Sequence, residues 1–217
     1  MKNIKTMLIT LVAILGLTTV TNAGMLSNVY LEVGTSAVGV EMDGNHNDND
    51  GDVSNGTIGK TAVTASYGIG YMTSRSNKLG LDLGYLSTPG EAKIKATSDD
   101  TATDVSLEVS DATEYYIAPM INMTEDASLY FKYGQSDADI TVTGDINDPG
   151  DLDGTTVALG TVMSWGSNLY IRTEAGMTDY DKISATGKGT TGGVGTDVTV
   201  TATPTVHYGK IAIGYKF

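Results

Sequence analysis

Eight ionisable side chains fall on one face of a series of alternating segments: Glu32, Asp82, Glu114 and Glu174 against Lys132, Arg172, Lys210 and Lys216. Enclosed together, these acids and bases would pair, because a single buried charge is costly. Such a set seals a lumen or lines an ion path. Hydrolytic chemistry would need His207 to have a serine and a carboxylate nearby. "HYG" brings no serine, so an interfacial histidine is the simpler reading and no enzyme is expected. In "DGNHNDNDGDVSNG", Asp48, Asp50 and Asp52 surround Gly51, a spacing of oxygen donors that suits a hard cation. The EF-hand register would put His46 first and Thr57 twelfth, so it fails at both ends. Weak Ca2+ or Mg2+ binding stands beside a merely solvated loop, and residues 145–154 form a second acidic cluster; no other cofactor is expected. "GKGTTG" at 187–192 fits G-x-G-x-x-G, but a flexible polar loop explains it better than a phosphate cradle that lacks its strand and helix.

The elements that carry these residues read as strands, since side chains at every second position share a face. One face carries Val29, Leu31 and Val33, then Val63 to Tyr71, Leu79 to Tyr85, Tyr115 to Met123, Leu129 to Tyr133, Val157 to Trp165, Leu169 to Met177, and finally Ile211, Ile213, Tyr215 and Phe217. The other carries the charges together with Gly34, Gly68, Gly70, Gly84, Gly134, Gly160, Gly176 and Gly214. Eight strands result. Short turns at 74–77, 125–127 and 166–168 alternate with long polar connections at 43–60, 88–104, 144–154 and 181–195, the layout of a transmembrane barrel.

Two orientations compete: a soluble sandwich with its apolar faces together, and a barrel with those faces in lipid. The apolar stripes have about the 9 to 11 residues that a tilted membrane strand needs. Tyr71, Tyr85, Tyr115, Trp165, Tyr215 and Phe217 close their ends as aromatic girdles do. Glycine lines the side where eight strands leave little room. The fold class expected is therefore all-β, an eight-stranded antiparallel up-and-down transmembrane β-barrel. Pro119 cannot donate to a ladder, so a bulge or a lost hydrogen bond is expected there.

The chain has 217 residues, no cysteine, and a formal charge of −13. Residues 1–23 begin with Lys2 and Lys5, continue through an apolar run and end in Thr21-Asn22-Ala23, a secretory leader cut before Gly24. The barrel domain is 24–217. Losing the two lysines takes the charge to −15, and an acidic surface repels phosphate, so nucleic acid is excluded as a partner.

The whole of 24–217 resembles the small eight-stranded outer-membrane barrels of Gram-negative bacteria, the OmpA and OmpX type. The ending carries the resemblance: Ile211, Ile213, Tyr215 and terminal Phe217 look like the signal read by the barrel assembly machinery. The resemblance implies residence in the outer membrane among lipid and lipopolysaccharide, a lumen plugged by ion pairs, and a structural or adhesive role. A protein ligand at the outer loops is the implied partner. It leaves a small pore or a lipid A-modifying enzyme as alternatives. "EAKIKATS", "DVSLEVS", "DADITVTG" and "DVTVTATPT" continue the alternation, so strands could project above the membrane. With nothing after Phe217, no peptidoglycan-binding role is expected.

Overall fold

Valine, leucine, isoleucine and tyrosine alternating with glycine and small polar residues favour extended chain with two unlike faces. The computed structural model describes residues 27–47, 53–73, 77–96, 105–143, 150–191 and 194–217. In chain order the strands are β1 (Val29–Asn47), β2 (Val53–Met72), β3 (Leu79–Ala96), β4 (Val105–Asn122), β5 (Ala127–Thr143), β6 (Leu152–Trp165), β7 (Leu169–Tyr180), β8 (Ile183–Thr191) and β9 (Val194–Lys216). Each pairs antiparallel with its neighbour in sequence up to β7, and β9 pairs with both β7 and β1. That last pairing closes the wall. β8 pairs with the upper part of β9 on the edge that β7 occupies lower down, so β7 and β8 act as one strand interrupted at Asp181 and Lys182. The cylinder therefore has eight strands, as the alternation predicts.

The long polar connections are the main correction. Much of 43–60, 88–104 and 181–195 is strand, and the β1–β2 ladder runs unbroken from Val29↔Tyr71 to Asn47↔Val53. An antiparallel ladder needs only paired backbone groups. Polar composition marks where the strand leaves apolar surroundings, and it does not mark where the strand ends. "GKGTTG" is corrected likewise: Gly187 to Thr191 belong to β8, extended chain instead of a loop, and Gly192 lies outside the described residues. Also outside them lie the leader 1–23 and the acidic trio Asp48, Asp50 and Asp52.

Pro119 interrupts the β4–β5 ladder without shifting it, since Ile117↔Tyr133 and Met120↔Tyr130 belong to one register. The true irregularities lie higher. β3 shifts register between Thr88 and Glu91, where Gly90 has φ 129°, and β4 shifts between Ser110 and Thr113, where Asp111 has φ 50°. Pro89 has no N–H to give to a neighbour. The β2–β3 ladder ends at this height, its last pair being Tyr67↔Ser87. Above it, among the described residues, the wall divides into a sheet of β8, β9, β1 and β2 and a sheet of β3, β4 and β5.

The two faces separate completely at mid-height. Leu31, Val33, Leu83, Ile117, Phe131, Leu159, Ile211 and Ile213 stand exposed on the outside, while Glu32, Asp82, Lys132, Arg172 and Lys210 are buried inside. A protein in water rarely exposes more than a few hundred Å2 of contiguous apolar surface. Here the belt circles the wall. Tyr71, Met123, Trp165, Tyr215 and Phe217 are exposed at the turn end and Tyr67 and Tyr133 toward the loop end.

Inside, six tyrosines stand directly opposite glycines on the next strand: Tyr30 and Gly70, Tyr116 and Gly84, Tyr130 and Gly160, Tyr170 and Gly214, Tyr180 and Gly154, Tyr208 and Gly176. In the first five, a Cβ on the glycine would collide with the tyrosine ring. We expect Gly84→Val to cost about 1–3 kcal/mol, the usual penalty of overpacking. Gly209→Val, at a position with nothing within 4 Å of the added carbon, should be nearly neutral. The urea midpoints of the two refolded variants measure the difference.

Candidate functional site

Alternation on six strands aims one or two charged side chains each at the barrel axis, and the narrow lumen makes them meet. Arg172 on β7 is 0% exposed; its Nη2 donates to Asp82 Oδ2 at 2.7 Å and its Nε lies 2.9 Å from Glu32 Oε2. Lys132 on β5, also 0% exposed, donates to Glu174 Oε1 at 2.6 Å and to Glu114 Oε2 at 3.1 Å. Lys210 on β9 links the two groups, 3.2 Å from Glu32 Oε1 and 3.9 Å from Glu174 Oε1. Seven of the eight charges expected to face one another thus form one network. The eighth, Lys216, lines the turn-side mouth with Ser27, Glu125 and Asn168. The β-strand period sends it to the inner face but at the strand's last residue, below the other seven.

Tyrosine completes the network, and the charge pattern alone gave no hint of it. Tyr30 donates to Asp82 Oδ1 at 2.9 Å and lies 2.6 Å from the Tyr116 hydroxyl, which accepts from Arg172 Nη1 at 3.2 Å. Tyr170 donates to Glu32 at 3.0 Å; Tyr130 and Tyr208 donate to Glu174 at 2.6 and 2.8 Å. The Arg172 guanidinium also sits 5.1 to 6.0 Å from the ring centres of Tyr130, Tyr30, Tyr170 and Tyr116, close enough for cation–π attraction. All four of these rings lie over glycines. The signal in the sequence was the pairing of an inward tyrosine with an inward glycine across a predicted strand pair.

The plug has layers on both sides. Met72, Met120 and Val162 are buried on its turn side with the tyrosine rings. On its loop side Ser136, Thr156 and Thr178 form a hydroxyl chain with contacts of 2.6 and 2.7 Å. Higher still the interior turns apolar, with Val40 and Met42 packed beside Val38, Val109 and Val206, and Ile140, Leu152 and Tyr180 clustered next to them. A cavity of about 120 Å3 lies here, walled by Val38, Val40, Leu86, Val109 and Val206 and floored by Glu114, Tyr208 and Lys210. Thr64 of β2 and Thr88 and Gly90 of β3 line its side, where the two strands part.

His207 is exposed on the outer wall, opposite Gly39 and Met177. Ile211, Ile213, Tyr215 and Phe217 share that outer face on the sealing strand. Among the described residues no three histidine, aspartate or glutamate side chains gather as a metal site.

No protein-family model matches the sequence, and no curated protein does. Among solved structures, the outer membrane protein OprG from Pseudomonas aeruginosa is 15% identical with a TM-score of 0.62, over 88% of this chain and 96% of that one. The outer membrane protein AlkL is 16% identical with a TM-score of 0.51, over 91% and 94%. The outer membrane protease OmpT from Escherichia coli is 10% identical with a TM-score of 0.51, over 88% and 97%. What these proteins share with this chain is the fold, a closed antiparallel barrel of the outer-membrane type.

Proposed function

We propose that this chain is an integral outer-membrane barrel, exported through its leader, that acts as a closed structural element and presents acidic stranded extensions to the exterior. The observation that carries this reading is the pair of fully buried cations, Lys132 and Arg172, tied by carboxylates and tyrosines across the lumen. Hydrated ions find no axial path past them. The outer face of β9, with Ile211, Ile213, Tyr215 and Phe217, serves as the assembly signal in this reading, and the acidic loops serve for weak divalent cations that bridge lipopolysaccharide phosphates. The outer extensions remain the surface for a protein ligand.

Two measurements test it. The protein should need detergent for extraction and run at different gel mobilities folded and boiled; a chain that disperses freely without detergent would refute the membrane reading. In planar bilayers it should give no steady current. A persistent conductance in the wild type would refute the closed lumen.

A second reading has its own support in the loop-side cavity, which is mostly apolar and is lined by Thr64, Thr88 and Gly90 where the β2–β3 ladder ends. It would take a small apolar molecule from outside and release it laterally into the outer leaflet, past the exposed Val63 and Tyr67. The lipid A-modifying alternative rests on His207 alone, which faces outward opposite Gly39 and Met177.

A further inference from the structure

Val38 and Val40 of β1, Val109 of β4 and Val206 of β9 meet above the plug, and with Leu86 of β3 they wall a space of about 120 Å3. A cavity of about 150 Å3 lined by aliphatic side chains stays dry and holds benzene. The space here is slightly smaller and its walls are of the same kind. Those walls are also stiff. Val40 and Val206 stand directly opposite each other in the β1–β9 ladder, and a β-branched side chain has few rotamers into which it can withdraw. The floor limits the ligand in another way, because its charged and phenolic groups are engaged with the network below. Lys210 lies 3.2 Å from Glu32, Glu114 lies 2.9 Å from Lys132, and the Tyr208 hydroxyl donates to Glu174 at 2.8 Å. A charged head group entering the chamber would leave water without gaining a free counter-charge, which is costly.

We propose that the chamber binds a single uncharged hydrocarbon ring and rejects both fused double rings and charged derivatives of the same ring. This rests on the second reading above and names its ligand class. Benzene fills the space against the valine methyl groups. A second fused ring must drive Val40 or Val206 off its rotamer or part the strands that carry them, and overpacking of that kind lowers affinity by about tenfold.

The test uses the full mature protein in phosphatidylcholine nanodiscs, with isotope-labelled valine methyl groups and with benzene, naphthalene, benzoate and benzylamine as probes. Benzene and naphthalene also enter the bilayer. The readout is therefore the saturable NMR shift of the Val38, Val40, Val109 and Val206 methyl signals beyond that of Val33, which is exposed on the outer wall and reports probe in the lipid. Benzene should shift the chamber valines saturably, naphthalene should bind about tenfold more weakly, and the two charged probes should leave those signals in place. Val40→Ala, which widens the chamber, should remove most of the difference between benzene and naphthalene. The wild-type series decides the matter even if that variant fails to fold. Naphthalene binding as tight as benzene overturns the size limit, and benzoate or benzylamine binding as tight as benzene overturns the restriction to uncharged rings; either result spares the apolar chamber. Absence of a saturable shift with all four probes overturns the chamber reading and with it this proposal.

Discussion

Arg172→Met is expected to destabilise the folded barrel by about 3–5 kcal/mol, because it removes one partner of a buried ion pair and leaves the others uncompensated. The wild-type guanidinium holds Asp82 at 2.7 Å and Glu32 at 2.9 Å, and neither carboxylate reaches solvent. Methionine fills most of the volume, so the loss reports charge and hydrogen bonding more than a cavity. Lys210 still reaches Glu32, whereas Asp82 keeps only the Tyr30 hydroxyl among its described partners. Adding Asp82→Asn should therefore recover part of the loss, and adding Glu32→Gln as well should recover more, since a whole ionic group exchanged for neutral ones is often harmless. Urea unfolding of protein refolded into phospholipid vesicles measures each step. A loss under about 1 kcal/mol for Arg172→Met would place the energy of the lumen elsewhere.

Leu159→Arg probes the other face. Leu159 is 56% exposed on the outer wall, between Phe131 of β5 and Ala175 of β7, and near mid-height of the stripe from Val157 to Trp165. Arginine facing hydrocarbon there should cost about 2–4 kcal/mol. Thr61→Arg, also exposed on the outer face but beyond Val63, should cost about 0–1 kcal/mol, as residues near the interface do. The contrast with depth is the signature of lipid. Equal and small effects at both sites would mean that water surrounds the belt.

The fold was legible because period-two alternation is a strong signal when one face is hydrocarbon and the other is narrow and polar. Leu79, Leu81, Leu83 and Tyr85 against Gly80, Asp82, Gly84 and Leu86 could be assigned to faces by inspection, and the charged members of the plug followed from the same rule. The reach of the strands was less legible. Asp43, Gly44 and Asn45 look like loop residues, yet they pair with both β2 and β9, because above the belt either face of a strand can be polar. The same period puts the tyrosines on the inner face, but their role as partners depends on the glycine across the ladder and hence on register. In the sequence Pro119 reads as the disruption, yet the irregularities gather around Pro89. The difference lies in context: Pro119 interrupts one ladder and leaves its register intact, whereas Pro89 adjoins two bulges and the end of the β2–β3 pairing.

Because β9 zips to β1 on one side and to β7 and β8 on the other, the ring is completed by contacts between residues nearly a full chain length apart. Until those contacts form, β1 and β7 each present a row of bare amide groups, a shape prone to join with other chains. Long-range closure of this kind is slow. The hazardous interval in the life of this protein is thus the one before its ends meet, and a chain halted there would present sticky borders at the height of the belt, where the finished ring has none.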